Sequence, residues 1–340
     1  MMRSFLYWVA LTITCVSCME DTGDNRSYLP ANTGNQGEIV VVAPPVLWAS
    51  DEANLLKKEL LTLFEGLPAD EPLFTSVEVS TEGFVDLFKT HRNILEFRID
   101  PTNKTGALKR KDIYAKQQTQ IIVNLNKLND LPTFLENEFP GVLKEFHQAE
   151  ISRLASRNRA FGDEKLKEEV LMLSGVSLIL QEDFELAKQS PDFLWLRLDR
   201  EKPIGGFQHQ INQGIMIYQR PYSDTLQFSD TSLIAWKNNI NKAFVEGPST
   251  SYMSISNRYI APVINTISFR GSAAKEMRGL WRMEGAKGVF MGGPFYAIAF
   301  YDPISKNQYF VEGYVYGPQF NKRSFIREIE AMVKSAKTTD

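Results

Sequence analysis

Cysteine is nearly absent from this 340-residue chain: Cys15 and Cys18 are the only two. The body that follows therefore has no disulfide, no thiolate metal ligand and no cysteine nucleophile. Histidine is almost as scarce, and His91, His147 and His209 are too far apart for a helical His-x-x-x-His metal pair. Surplus positive charge is missing as well. A formal net charge of −3 excludes the basic footprint of a nucleic-acid binder. The N-terminal apolar stretch, Phe5 to Ile13, has nine residues. That is well short of the ~20 that cross a bilayer as a helix. What is present is ordinary for a folded protein: 43% hydrophobic and 11% aromatic residues. A body of roughly 300 residues buries a large core without disulfides.

Met1-Met2-Arg3 is a short cationic start, the apolar stretch follows, and Val16-Ser17-Cys18 ends it with small residues before a cysteine. This is the pattern of a secretory signal. Its end resembles a lipobox, where cleavage precedes the cysteine and the thiol takes a diacylglycerol. Cys15 stands where such boxes usually carry leucine. The expectation is a signal peptide over 1–17 and an acyl anchor on Cys18 that holds the chain to the lipid bilayer of the outer membrane. The alternative is an ordinary secreted protein with two incidental cysteines. Residues 18–36 are polar and lack apolar periodicity, so they form a flexible tether behind the lipidated cysteine. Glu20 and Asp21 resemble the acidic export signal of surface lipoproteins. The plainer reading is a solvated tether facing the periplasm.

The fold is expected to begin near Glu38. Ile39–Ala43 is a continuous, mostly β-branched run, as in a strand covered on both faces. Ser50 or Asp51 caps a helix whose apolar positions Ala53, Leu56, Leu60, Leu63 and Phe64 follow the helical period until Gly66. Strands are expected at 73–79, 94–99 and 120–125, with a short helix at 84–89. A helical stretch runs from Leu128 to Phe161, broken or kinked by Pro140. The charged segment after Gly162 puts a boundary near 165. This gives an N-terminal α/β half (37–165) and a C-terminal α+β half (166–340). In the second half the pattern predicts strands at 176–181, 193–198, 211–219, 252–257, 263–270, 288–301 and 308–316. A helix from Asp230 has Leu233, Trp236, Ile240, Ala243 and Phe244 on one face, and a terminal helix carries the stripe Phe325, Ile329, Met332, Val333 and Ala336. Tyr309, Val311, Gly313 and Val315 alternate as in an antiparallel strand with one buried face. The class is α+β, with mixed or antiparallel sheets packed against helices.

The lipobox, EIVVV after a polar tether, LPADEPLF (67–74), HRNI (91–94), MRGLW (277–281), FMGGPF (290–295) and GPQFNKRSFIREIEA (317–331) resemble a family of Bacteroidetes lipoproteins of uncharacterised function. The resemblance spans nearly the whole chain and implies no activity. The order of strands, central helix, meander and closing helix in 170–340 is similar to the Mog1/PsbP-like sandwich, a fold that hosts binding and assembly factors. That likeness transfers no function.

Most chemical motifs are decoys. Ser272-Ala273-Ala274-Lys275 matches the Ser-x-x-Lys of penicillin-binding proteins, and Lys104-Thr105-Gly106 and Ser156-Arg157-Asn158 match its partners, but their chain order is reversed. Gly205-Gly206 and Gly292-Gly293 lack phosphate-loop spacing and read as turns. Two clusters remain. His91-Arg92-Asn93 supplies donors for a carboxylate or sugar, or else local capping and ion pairing. Arg270, Arg278, Trp281, Phe295 and Tyr301 supply planar donors and flat apolar faces suited to a binding surface, or else a sandwich core. No cofactor and no metal is implied. Three functions stay open: a non-catalytic binding or assembly module for an unknown envelope protein or glycan, an envelope glycan or peptidoglycan hydrolase with two facing carboxylates, and a purely structural lipoprotein. A shallow aromatic patch favours the first and a deep polar cleft the second.

Overall fold

The computed structural model describes residues 28–338, so Cys18 and the pair Glu20 and Asp21 lie outside the described residues. The first half runs β1 (Glu38–Ala43), α1 (Pro45–Trp48), α2 (Glu52–Leu60), β2 (Thr75–Ser80), α3 (Asp86–Lys89), β3 (Asn93–Ile99), β4 (Gly106–Lys111), β5 (Thr119–Leu125), α4 (Leu131–Asn137) and α5 (Phe139–Phe161). Its five strands are ordered β2-β1-β3-β5-β4, parallel except for the antiparallel edge strand β4. Ile39, Val41, Leu95, Phe97, Ile121 and Val123 pack with Leu56, Phe134 and Phe146 on one face. Val40, Val42, Val79 and Ile94 fill a smaller core on the other. Cover on both faces is what makes β1 an unbroken apolar run.

Pro140 sits in the first turn of α5, where its missing N–H has no helical partner to lose, so the helical stretch breaks at Glu138 just before it. β4 has no sequence signature, because its residues GALKRK are almost all exposed and an edge strand needs no apolar face. The expected tether differs at its end. Pro30 accepts from the Lys116 N–H at 2.8 Å, and Thr33 exchanges backbone bonds with Thr90 and Arg92. Residues 30–33 are thus laid against the first half.

The second half runs α6 (Glu164–Ser174), β6 (Val176–Ser177), β7 (Glu185–Ser190), β8 (Phe193–Ile204), β9 (Phe207–Pro221), α7 (Asp230–Phe244), β10 (Tyr252–Ser256), β11 (Val263–Phe269), β12 (Ser272–Glu284), β13 (Gly292–Asp302), β14 (Asn307–Tyr316), α8 (Arg323–Lys334) and β15 (Lys337–Thr338). Asp163 caps α6 by accepting from the N–H groups of Lys165 and Leu166. An eight-stranded antiparallel sheet is ordered β10-β12-β13-β14-β9-β8-β7, with β11 beside β10 on the same edge of β12. α6 and α8 cover one face, where Leu166, Val170, Ile215, Ile298, Val311, Ile329 and Met332 meet. α7 covers part of the other, with Leu233 and Trp236 against Met216, Tyr218 and Phe310. The chain is therefore α+β.

Helices on both faces explain why β14 is buried along both its rows rather than one. The strand expected at 176–181 shrinks to the two residues of β6. β12 is the largest departure. Its sequence SAAKEMRGLWRME is rich in residues that favour helices, but pairing with β10, β11 and β13 overrides that preference. α2 stops at Leu60, and Phe64 and Leu67 cross into the core of the second half.

Candidate functional site

Strand alternation separates the aromatic and arginine cluster that the sequence suggests. On β12, Trp281 turns to the α7 face and packs with Phe295. Arg278, three residues earlier, turns to the α8 face and lies 2.9 Å from Glu330. Tyr301 is at the far end of β13, against Tyr222 with ring centroids 4.6 Å apart. Arg270 occupies the turn between β11 and β12 and donates to the carbonyls of Ser335 and Ala336 just past α8. There it stabilises the negative end of that helix. The other cluster is fully engaged inside the first half. Asn93 donates to Glu150 at 2.7 Å and to the Glu38 carbonyl, and accepts from Arg153. Arg92 faces Glu150 at 3.5 Å, and His91 meets Glu38 at 2.8 Å. These residues read as local ion pairing.

α7 ends at Phe244 and leaves the rest of its sheet face open as a groove of about 750 Å³. Trp195, Trp281, Tyr314 and Tyr316 line it together with Met253, Met283 and Met291. Arg197, Asp199, Arg200 and Glu201 form its rim on the β8 side. Trp281 meets Tyr314 edge to face at 5.3 Å and donates from Nε1 to the Val315 carbonyl. Phe295 lies one layer deeper, with the Lys237 ammonium 4.4 Å above its ring. Gly292-Gly293 is not a turn. A Cβ at Gly293 would stand 2.0 Å from the Val315 carbonyl oxygen, so glycine permits a close approach of strands behind Trp281.

The register brings the β8–β9 tip, the β12–β13 loop and the chain before β10 to the same end of the sheet. β14 pairs with β9 no further than Asn212, so the β8–β9 hairpin beyond it projects alone. Its tip is a two-residue turn with Gly205 and Gly206 at φ 58° and 86°, which explains that glycine pair. Phe290 in the β12–β13 loop, next to Met291 of the groove, is 94% exposed, whereas Phe207 at the tip shares the row of Ile211 and Ile215 and so belongs to the α8 face of the sheet.

The other notable cluster lies where the halves meet. Glu330 on α8 is fully buried and pairs with Arg278 at 2.9 Å, Lys334 at 2.6 Å and His147 of α5 at 2.9 Å. Burial pushes its carboxyl up, but Arg278 and His147 outweigh that and hold it well below the usual carboxylate range. Glu150 follows the same logic: burial raises it, and Arg153 and Arg92 bring it down. Arg327 is buried between the rings of Phe64 and Phe74 and donates to the Leu73 carbonyl at 2.6 Å. Desolvation pushes its guanidinium down to about 10. Glu71 of the first half accepts the N–H groups of Lys322 and Arg323 and so caps α8 from outside. His147 on α5 is thus a joint between the halves.

Ser272 and Lys275 lie three residues apart on an extended strand and point to opposite faces, so no Ser-Lys couple forms. Among the described residues no group of three or more His, Cys, Asp or Glu is placed to hold a metal ion. No helix among them is long and apolar enough to cross a membrane.

A family model described as a domain of unknown function (DUF4837) matches residues 163–335. The chain belongs to this family. A second model, also described as a domain of unknown function (DUF8532), matches residues 32–159. The groove thus lies within the DUF4837 segment, and the buried ion pairs around Glu330 join it to the segment before it. The solved structure of a mutant of the protein Mog1 is weakly similar, with a TM-score of 0.28 and 10% identity over 49% of this chain and 92% of that one. Comparison with curated proteins finds no match.

Proposed function

We propose that this protein is a non-catalytic binding module held at the envelope membrane by an acyl anchor on Cys18, and that the groove beyond α7 takes a segment of a protein partner. The observation that carries this reading is the groove's lining of four aromatic and three methionine side chains beside the exposed Phe290. Methionine adapts its shape to different partners, and aromatic residues dominate protein interfaces. A glycan would need a free ring face, whereas the Arg197 guanidinium lies 5.4 Å over Trp195, and Trp281 and Tyr314 are buried. A hydrolase needs a carboxyl kept protonated opposite an ionised one. The buried carboxyls Glu150 and Glu330 shift the opposite way and neutralise arginines. The anchor rests on Val16-Ser17-Cys18.

A photo-crosslinking side chain placed at Met291 in cells tests the groove, with Tyr301 at the far end of β13 as control. A discrete protein adduct at 291, absent at 301 and lost on adding Trp195→Asp, is the expected result. Equal labelling at both positions, or none at 291, removes the reading.

A further inference from the structure

Two openings at the junction of the halves share a wall. One is an apolar pocket of about 310 Å³ lined by Leu63, Phe64, Leu73, Phe139, Pro140 and Leu143. The other, of about 800 Å³, extends past Glu276, Lys334 and β11 to Arg270. Lys144, His147 and Arg278 line both, so the two form one cleft with an apolar and a charged end. The shared wall is fixed: the His147 ring packs edge-on to Phe64 at 5.6 Å, and its Nε2 is held by Glu330.

The charged end has a cationic surplus. Arg278 and Lys334 are both engaged by the two acids present there, Glu276 and Glu330. Lys144 has no ion-pair or hydrogen-bond partner among the described residues. Arg270 donates only to uncharged carbonyls, so its charge is not neutralised. The acids Glu59 and Glu65 stand on the opposite rim, at the apolar end.

We infer that this cleft binds an amphiphile with one anionic head and one apolar chain, the chain filling the pocket against Phe64 and Leu143 and the head lying between Lys144 and Arg270. An apolar chain gains from leaving water in proportion to the area it buries. A carboxylate or phosphate head pairs with the two cations through charge-assisted hydrogen bonds. A small hydrophilic anion would leave the pocket unfilled, and a neutral amphiphile would leave the cations unpaired. Each of the two openings lies in the range of small-molecule sites, about 300–1,000 Å³.

Isothermal titration into the full chain carrying Cys18→Ala tests this with dodecanoate, dodecyl phosphate and dodecanol. One anion per chain is expected to bind saturably, with dodecanol weaker by about ten-fold. The stronger of the two anions identifies a fatty acid or a phospholipid fragment as the natural class. Leu63→Trp, at a half-exposed position on the pocket wall, should abolish binding by filling the pocket. Lys144→Glu, on the exposed side of α5, should weaken both anions about ten-fold and leave dodecanol unchanged. Thermal melts verify that each variant is folded, and if Leu63→Trp is not, Lys144→Glu decides alone. No saturable binding of either anion, or anion binding unaffected by Lys144→Glu, overturns the inference.

Discussion

Tyr314 lies across Gly214 so closely that a Cβ at position 214 would stand 2.2 Å from its ring. The two residues face each other in the β9–β14 register, and the ring forms part of the groove floor. Any side chain at 214 must displace Tyr314, which in turn supports Trp281. Gly214→Ala is expected to destabilise the fold by about 1–3 kcal/mol, the usual cost of overpacking. It should also weaken the crosslink at Met291. Urea unfolding gives the first quantity. A variant as stable as the parent would show that the ring moves without cost and that the floor is not fixed.

Elements that bury a full face were legible in the sequence. The β-branched run of β1 and the stripe of α8 have one physical cause, a pattern that matches burial, whereas the alternation read in β14 does not, because both of its rows are buried. β4 and β12 were not legible, because an edge strand needs no apolar row and the pairing of β12 comes from distant segments. The candidate site was legible only in part. Trp281 does line the groove, but Arg278, Tyr301 and Arg270 were grouped with it by sequence proximity, which strand alternation and strand length undo. Lys237 and Glu312 were missed. Their signal was a lysine four residues after Leu233 on an otherwise apolar helix face, and a glutamate inside an aromatic strand.

Acid should loosen the junction between the halves. The Glu330 carboxyl is depressed below its usual 4.5 in the folded state, so its contribution is complete above that value. As pH falls through it the unfolded chain takes up the proton first, and stability declines until the folded carboxyl also protonates. Glu330→Gln leaves Arg278 without its closest partner and is expected to cost about 3–5 kcal/mol at neutral pH. The loss should shrink as the pH drops below 4.5. Urea unfolding of both proteins across this range decides it. A difference independent of pH would show that the carboxylate charge contributes nothing.

The anchor has its own test. Cys18→Ala should release the protein from membranes without changing its melting temperature, since the sequence following Cys18 is polar and lacks the apolar periodicity of a core element. Membrane fractionation together with mapping of the mature N-terminus checks both parts. A variant that still sediments with membranes, or a mature terminus other than residue 18, rules out the lipobox reading.

Beneath α7 the sheet holds a second ion pair with no solvent access. Lys237 Nζ lies 2.5 Å from a Glu312 oxygen. With its amide oxygen turned toward Lys237, Asn241 accepts from that ammonium at 2.9 Å and donates to Glu312 at 3.2 Å. Burial pushes the lysine down, and Glu312 partly restores it. Desolvating both charges offsets most of their attraction, so the pair itself adds little stability, but either charge alone is costly. Lys237→Met should therefore lose about 3–5 kcal/mol by leaving Glu312 buried without a cation. Lys237→Met with Glu312→Leu removes both charges at similar volume and should recover most of that loss. The measurement is a double-mutant cycle by urea unfolding, in which a large coupling energy is expected. If the two single losses simply add, the pair is not coupled, and Lys237 is held there by its contact with Phe295 instead.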